Sequence, residues 1–190
     1  MQKSNIFIIS GPSGAGEDSI MEGLKKYFEL ERITNTTTRA MRSGESQSNP
    51  YYFISEKEFK DEIDKESFAE YAQQYNGNLY GVTKTELERV QKSGKIGIWK
   101  IEYKGVMSVK KMYPEIVSIL VNTENLKVLE DRIRRRDNAS EDYIKERMEY
   151  TKEWLKHKDI YDYEIINKEG RLDEAIKEVA DIIKKAQNFS

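Results

Sequence analysis

The sequence predicts an α/β fold in which helices flank a parallel sheet and a mostly β subdomain is inserted into it. Short apolar, β-branched runs alternate with helical patterns along most of the chain. The first run ends in a glycine-rich turn, which is typical of a buried strand that leads into a helix. Residues 35–86 are rich in Thr, Tyr, Gly and Arg and break this alternation. Alternating strands and helices form parallel sheets covered on both faces, so we assign the exceptional stretch to an insertion.

The elements of the core follow from the spacing of apolar residues. Asn5–Ser10 has the pattern of a buried strand, and Glu17–Phe28 carries apolar residues at helical spacing. Further buried strands are predicted at Ile96–Ile101, Ile116–Val121 and Tyr163–Ile166. Helical patterns cover about 105–111, 125–135, 140–156 and 172–186. Within the insertion, extended segments are predicted around 51–54 and 78–82, over the carboxyl edge of the sheet, where ligands of such folds bind.

Length and composition exclude several classes of protein. The 190 residues suffice for one domain and are too few for two full hydrophobic cores. The 32 Lys and Arg nearly balance the 34 Asp and Glu, so we expect no bulk attraction to nucleic acid or anionic lipid. Without cysteine the chain has no disulfide or zinc–thiolate site, and its single histidine forms no His-rich metal cluster. With no signal-peptide pattern and no apolar run near the roughly 20 residues of a membrane span, we expect a cytoplasmic protein.

The turn Gly11-Pro12-Ser13-Gly14-Ala15-Gly16 has the position of a phosphate-binding loop. Its glycines let backbone N–H groups face an anion, and the helix that follows adds its positive N-terminal end. The usual pattern continues with a lysine and a Ser or Thr, but here Glu17 and Asp18 occupy those positions and Ser19 comes one residue late. A contact between unit charges is worth roughly 4 kcal/mol at an effective dielectric of about 20, so this exchange disfavours a triphosphate.

Two interpretations of this loop stay open from the residues alone. In one, Glu17 and Asp18 are ordinary acidic residues at a helix N-terminus, and the loop no longer binds phosphate. In the other, the loop still binds phosphate and cations elsewhere in the chain compensate for the two acids.

The residues after the loop carry a family resemblance. In order, they are Thr36-Thr37-Thr38-Arg39-Ala40-Met41-Arg42-Ser43-Gly44-Glu45, Tyr51-Tyr52-Phe53, Phe68-Ala69-Glu70 and Tyr80-Gly81-Val82-Thr83. They resemble the T-T-R-x-x-R-x-G-E, Y-x-F, F-x-E and Y-G-[ST] motifs of guanylate kinases, with Val82 in place of a hydroxyl residue. The resemblance continues through 98–105, three arginines after residue 130 and Ile166-Asn167, and so covers essentially the whole chain.

This resemblance implies one domain with three parts. They are a P-loop kinase core at 1–34 and 87–190, a monophosphate-binding insertion at 35–86, and a helical arginine lid at about 132–147. For the acceptor nucleotide, the resemblance implies that two guanidinium groups and two phenols surround its phosphate, a cage that suits a dianion. These residues are Arg39, Arg42, Tyr51 and Tyr80.

For the acceptor base, the resemblance points to Glu70. Guanine offers a carboxylate two adjacent donors, at N1 and the 2-amino group, which adenine lacks. Asn35 stands where the family commonly has a serine that contacts guanine O6. Because its amide can donate or accept, the base preference stays open.

On the donor side, the resemblance assigns the loop residues 11–16 and Ser19 to the phosphates and Asn167 to the adenine. Its lid and catalytic arginines are Arg132, Arg136 and Arg147. The plain alternative for this basic run is a solvated helix end, where cations are favourable.

The strand beside the loop departs from the family at its end. The family's Asp-x-Asp pair is Lys100-Ile101-Glu102 here, so Glu102 keeps the acceptor-side carboxylate and Lys100 replaces the other. An acid and a lysine have thus exchanged places between loop and strand. We expect Lys100 either to pair with Glu17 or to bring its ammonium to the donor phosphates as a catalytic group.

The function implied by the resemblance is the ATP-dependent phosphorylation of GMP or dGMP to the diphosphate. Such a transfer depends on positioning and charge stabilisation, with Mg²⁺ accompanying ATP and no residue assigned as its ligand. The alternative is a non-catalytic nucleotide-binding or protein-interaction module of guanylate kinase fold, with a donor site disabled by Glu17 and Asp18. Neither nucleic acid nor membrane is an expected partner, and the sequence leaves the oligomeric state undetermined.

Overall fold

Nine strands and seven helices make up the computed structural model, which describes residues 4–74, 77–137 and 140–188 apart from the side chains of 136, 137 and 188. The strands are β1 (Ile6–Ser10), β2 (Leu30–Arg32), β3 (Thr36–Thr37), β4 (Tyr52–Phe53), β5 (Phe68–Gln73), β6 (Leu79–Thr83), β7 (Ile96–Trp99), β8 (Val117–Asn122) and β9 (Tyr163–Ile166). The helices are α1 (Glu17–Leu24), α2 (Glu56–Asp64), α3 (Lys84–Lys92), α4 (Tyr103–Met112), α5 (Leu126–Asp137), α6 (Glu141–Leu155) and α7 (Leu172–Asn188), and a 3₁₀ turn spans Lys158–Ile160.

The strands form two sheets. The central sheet has five parallel strands in the order β2-β7-β1-β8-β9, and the second has four in the order β4-β3-β6-β5. All strands of the second sheet lie within 35–86, and the boundaries of the insertion stay a prediction. The predicted parallel sheet flanked by helices is confirmed.

Strand β1 lies in the middle of the central sheet and is buried on both faces. Phe7 and Ile9 face a core cluster with α1, α5 and α7, whereas Ile6 and Ile8 face a cluster with α3 and α4. Alternate residues of a strand point to opposite faces, so this continuous apolar run supplies both cores.

The register of the central strands positions the functional residues. Strand β1 pairs with β7, opposing Ile8 to Trp99, and with β8, opposing Ser10 to Leu120. The carboxyl ends of these strands therefore meet at one edge of the sheet. The glycine loop after β1 and Lys100 after β7 lie side by side there.

Each predicted core element is present in the structure, but for most of them the first or last residue differs from the prediction. Strand β7 ends at Trp99, two residues before the predicted end. Helix α1 ends at Leu24 and not at Phe28, because Lys26 and Tyr27 donate to the carbonyls three residues earlier and tighten the last turn. The predicted helices at 105–111, 125–135, 140–156 and 172–186 correspond to α4–α7.

The sequence patterns missed the strands β2, β3 and β5 and the helices α2 and α3. The first two strands have only three and two residues, too few for a periodic signal. The start of α2 did carry a signal, since Ser55 and Glu58 form a capping box. Within the described ranges no helix has the length and apolarity needed to cross a membrane.

Candidate functional site

A cavity of about 340 Å³ lies where the two sheets and α6 meet. Its walls include residues of the glycine loop, the end of β7, the four-stranded sheet and α6. Among these lining residues are the predicted site residues Gly11, Ser13, Asn35, Tyr51, Glu70, Tyr80, Lys100, Glu102 and Arg147. The topology thus places residues assigned to the donor nucleotide and residues assigned to the acceptor nucleotide around one cavity.

The glycine loop is shaped by two residues with positive φ. Gly14 has φ of 87° and Gly16 has φ of 94°, a region in which a Cβ is strained. The amide of Ala15 donates to the Pro12 carbonyl at 3.0 Å, which closes the turn, and helical bonding begins when Ile20 donates to Gly16. Gly11 and Ser13 line the cavity, whereas Ser19 is an exposed residue of α1.

Two residues assigned to the donor by resemblance bind the loop itself. The buried Asn167 amide donates to the Ala15 carbonyl at 2.8 Å. The Arg132 guanidinium donates to the carbonyls of Gly14 at 3.3 Å and Asn167 at 3.0 Å, and it pairs with Glu169. Neither side chain is among the residues that line the cavity, so their roles toward a donor nucleotide stay predictions.

Lys100 stands at the centre of a three-residue charge cluster. Its Nζ lies 2.7 Å and 2.8 Å from the two Asp18 carboxylate oxygens and 3.0 Å from Glu17 Oε1. Burial lowers the pKa of the Lys100 ammonium, but the two carboxylates outweigh it and raise the pKa above the usual lysine value. The cluster holds one positive and two negative charges, and all three residues line the cavity.

The four residues predicted to bind the acceptor phosphate are only partly brought together. The rings of Tyr51 and Tyr80 meet edge to face with their centroids 5.7 Å apart, and burial raises the pKa of the Tyr51 phenol. The Arg39 guanidinium lies 5.4 Å from the Tyr51 ring centroid and donates to Glu45 Oε1 at 2.8 Å. Arg42 is exposed, and its backbone N–H donates to the other Glu45 oxygen. Glu45 therefore holds both arginine segments, a role that the sequence did not indicate.

Glu70 is the buried acid of the cavity. Only 6% of its surface is exposed, and burial raises its pKa to about 7. Gly105 leaves room for it, because a Cβ at that position would lie 3.0 Å from Glu70 Oε1. A carboxyl group with this pKa in a cavity is a typical ligand-binding group.

Asn35 ties the insertion to the central sheet. Its Nδ2 donates to the backbone carbonyl of Lys100 at 3.2 Å. Its Oδ1 is buried and has no hydrogen-bond partner among the described residues. Among the described residues Nδ2 has this one acceptor, so its second N–H can donate to a ligand.

Glu102 contacts the helix that carries Arg147. The Tyr150 hydroxyl donates to Glu102 Oε2 at 2.6 Å. Burial raises the pKa of Glu102, while the Tyr150 bond and the positive charge of Arg147 act in the opposite direction. The Arg147 guanidinium lies 5.1 Å from the Tyr143 ring centroid. Arg136 belongs to the last turn of α5, and its side chain is outside the described part of the chain.

The cavity is also lined by Tyr150, Arg32 and Lys104, which the sequence patterns did not indicate. Tyr150 lies three residues after Arg147 on α6, so helical spacing from that arginine could have indicated it. Arg32 ends β2, a strand that the patterns missed. Lys104 lies inside the matched stretch 98–105 but carries no motif of its own.

The chain is similar to known proteins over nearly its whole length. A family model described as guanylate kinase matches residues 3–186. The guanylate kinase of Buchnera aphidicola subsp. Schizaphis graminum is 38% identical over 170 residues, which cover 88% of this chain and 82% of that protein. The guanylate kinase of Rickettsia prowazekii is 34% identical over 191 residues, which cover 99% of this chain and 95% of that protein. The crystal structure of guanylate kinase from Anaplasma phagocytophilum shares the fold, with a TM-score of 0.74 at 23% identity over 100% of this chain and 89% of that one.

Proposed function

This chain belongs to the guanylate kinase family, and from that premise we propose that it phosphorylates GMP or dGMP at the expense of ATP. On this proposal residues 35–86 carry the acceptor site and about 132–147 form the lid of a single domain. The substrates are small nucleotides, and we propose the cytoplasm, where their pools lie, as the place of the reaction.

The observation that carries the proposal is the buried carboxyl group of Glu70 in the cavity. An ionised carboxylate accepts two parallel N–H donors, and guanine presents such a pair at N1 and the 2-amino group. Binding of these donors favours the ionised form and offsets the cost of burial. The second N–H of the Asn35 amide is assigned to guanine O6, and with this assignment the two side chains complement guanine and not adenine.

The acceptor phosphate is assigned to the two phenols and two arginines. Tyr51 and Tyr80 already line the cavity, whereas Arg39 is held by Glu45. A phosphate dianion would compete with the Glu45 carboxylate for the guanidinium, because both are anions that accept charge-assisted hydrogen bonds. We therefore expect the loop that carries Arg39, Arg42 and Glu45 to rearrange when GMP binds.

The donor phosphates are assigned to the backbone of Gly11–Gly16, with Arg147 approaching from α6. The oxygen ligands that Mg²⁺ prefers are present, since Glu17, Asp18 and Glu102 line the cavity. Among described residues, no group of three or more His, Cys, Asp and Glu side chains stands ready to hold a metal ion. The carboxylates that line the cavity therefore fit an Mg²⁺ ion that arrives bound to ATP. When bound, such an ion would neutralise charge on the phosphates.

The second candidate function is a non-catalytic guanine-nucleotide-binding module. The observation that favours it is the Glu17 carboxylate, which stands beside the glycine loop where a phosphate would meet it. This candidate predicts GMP binding without turnover and without affinity for ATP.

An ADP-release assay with ATP and Mg²⁺ tests the proposal with GMP, dGMP, IMP and AMP as acceptors. We expect turnover with GMP and dGMP, at least about tenfold less with IMP, which lacks the 2-amino donor, and none with AMP. Glu70→Gln should raise the KM for GMP strongly, while Glu88→Gln on the exposed face of α3 serves as the matched control. No turnover with any acceptor, together with calorimetric GMP binding and no ATP binding, would establish the second candidate.

A further inference from the structure

Lys100 lines the cavity between residues assigned to the acceptor and residues assigned to the donor. Lys100 follows the last residue of β7, whose register with β1 places it beside the start of the glycine loop. Its backbone carbonyl accepts from Asn35 on the acceptor side, while its Nζ contacts Glu17 and Asp18 on the donor side. The ammonium therefore lies beside the loop to which the donor phosphates are assigned.

The partners of this ammonium differ in how firmly they are held. The side chain of Glu17 is 14% exposed, whereas that of Asp18 is 67% exposed and can turn into solvent. Lys100 itself is 31% exposed and has a flexible four-carbon stem. An incoming phosphate can therefore replace Asp18 as the partner of Lys100 without disturbing the buried side of the cluster.

We propose that Lys100 is a catalytic residue that binds the transferred phosphoryl group, so that the strand supplies the ammonium that the glycine loop lacks. This inference rests on the proposed function. A phosphate oxygen of GMP bonds to the γ-phosphorus of ATP, the bond from that phosphorus to the β,γ-bridging oxygen breaks, and ADP leaves. Lys100 keeps its proton throughout and stabilises the negative charge on the phosphoryl oxygens.

A merely structural role for Lys100 makes a different prediction. If the lysine only neutralises Glu17 and Asp18 at the start of α1, then removing all three charges together should leave catalysis intact. If the ammonium binds the phosphoryl group, the neutral cluster should be as inactive as the single lysine variant.

The first experiment compares Lys100→Met with Lys92→Met, an exposed lysine of α3 that also pairs with a glutamate. We expect Lys100→Met to lower kcat at least about 100-fold and to weaken binding of a non-hydrolysable ATP analogue with Mg²⁺ about tenfold. GMP binding, measured by calorimetry, should stay within about twofold. The Lys92 variant should match the unaltered protein in all three measurements.

Two further variants separate the roles. In Glu17→Gln/Asp18→Asn/Lys100→Met the cluster is neutral, and we expect kcat to stay as low as in Lys100→Met. Glu17→Lys/Lys100→Asp moves the ammonium to the loop and keeps an ion pair, and we expect it to regain at least about tenfold in kcat over Lys100→Met. Circular dichroism melts check that each variant is folded.

The inference would be overturned if the neutral triple variant had the same kcat as the unaltered protein. It would also be overturned if Lys100→Met bound the ATP analogue as tightly as the unaltered protein does. Failure of the proposed function has a different signature, namely an unaltered protein that binds the ATP analogue but phosphorylates no acceptor. The binding comparison then decides the role of Lys100 by itself. If the unaltered protein binds no ATP analogue, both proposals fall.

Discussion

At the scale of single residues, the proposed role of Glu70 predicts that binding of GMP depends on pH. Burial raises its pKa to about 7, so its ionised fraction grows from about a tenth at pH 6 to about nine-tenths at pH 8. The guanine donors require the ionised form. We therefore expect the Kd for GMP to fall about tenfold between these pH values in calorimetric titrations.

The control for this pH dependence is Glu70→Gln. The phosphate of GMP has its own second pKa near 6 and contributes a pH dependence to both proteins. The contribution of Glu70 is the difference between the two proteins in the slope of log Kd against pH. Equal slopes in the variant and the unaltered protein would show that Glu70 does not bind the base.

The same carboxyl group should make the free protein less stable as pH rises. The folded pKa of Glu70 lies above the unfolded value, so between about pH 4.5 and 7 the folded state binds more protons than the unfolded state. The free energy of unfolding therefore falls as pH rises through this window, by up to about 3 kcal/mol. Urea midpoints measured from pH 5 to pH 8 check this, and Glu70→Gln should lack this component of the decline.

Tyr150 offers a second residue-scale prediction. Its hydroxyl donates to the half-buried Glu102 carboxylate, so Tyr150→Phe removes this donor. We expect the free energy of unfolding in urea to fall by about 1–3 kcal/mol. Tyr163→Phe, at an exposed tyrosine of β9, is the matched control and should change stability by less than about 0.5 kcal/mol. A Tyr150 variant as stable as this control would contradict the role of the bond.

At the scale of elements, the packing of α1 on α7 depends on Gly23. A Cβ at Gly23 would lie 2.7 Å from Ile176 Cγ1 and 3.1 Å from its Cγ2. Gly23→Ala should therefore force Ile176 and α7 away and cost about 1–3 kcal/mol, even though alanine favours a helix. Thermal melts against Glu22→Ala, at the exposed preceding position, measure the effect. An equal or higher melting temperature for Gly23→Ala would show that Ile176 adjusts without cost.

At the scale of the whole molecule, the residues proposed to bind the acceptor phosphate do not all line the cavity. Arg39 is paired with Glu45 and Arg42 is exposed, so the proposed function requires the four-stranded sheet and α6 to close on ligands. Hydrogen exchange with GMP and an ATP analogue, each well above its Kd, should slow at least about tenfold in β5, β6 and α6. The amides of α7, on the far side of the sheet, should be unaffected. Uniform protection across the chain would indicate general stabilisation without closure.

Much of the fold could be predicted from the sequence because strong periodic patterns depend on neighbouring residues alone. The five apolar positions of β1 are followed directly by the glycine loop, and the motif order identified the family. Strands β2 and β3 could not be predicted, since such short segments are defined by pairing with distant strands. For the site, the sequence predicted the acid–lysine exchange, because both positions belong to motifs.

The sequence by itself determined the fold class, the family, and the replacement of the loop lysine by an acid with a lysine on the neighbouring strand. The tertiary structure brings Lys100 into contact with Asp18, 82 positions away, and with its neighbour Glu17. It also decided that Asn167 binds the loop from 152 positions away. Hydrogen-bonding groups and charges have many available partners along a chain, and the parallel register of the strands selects those that meet.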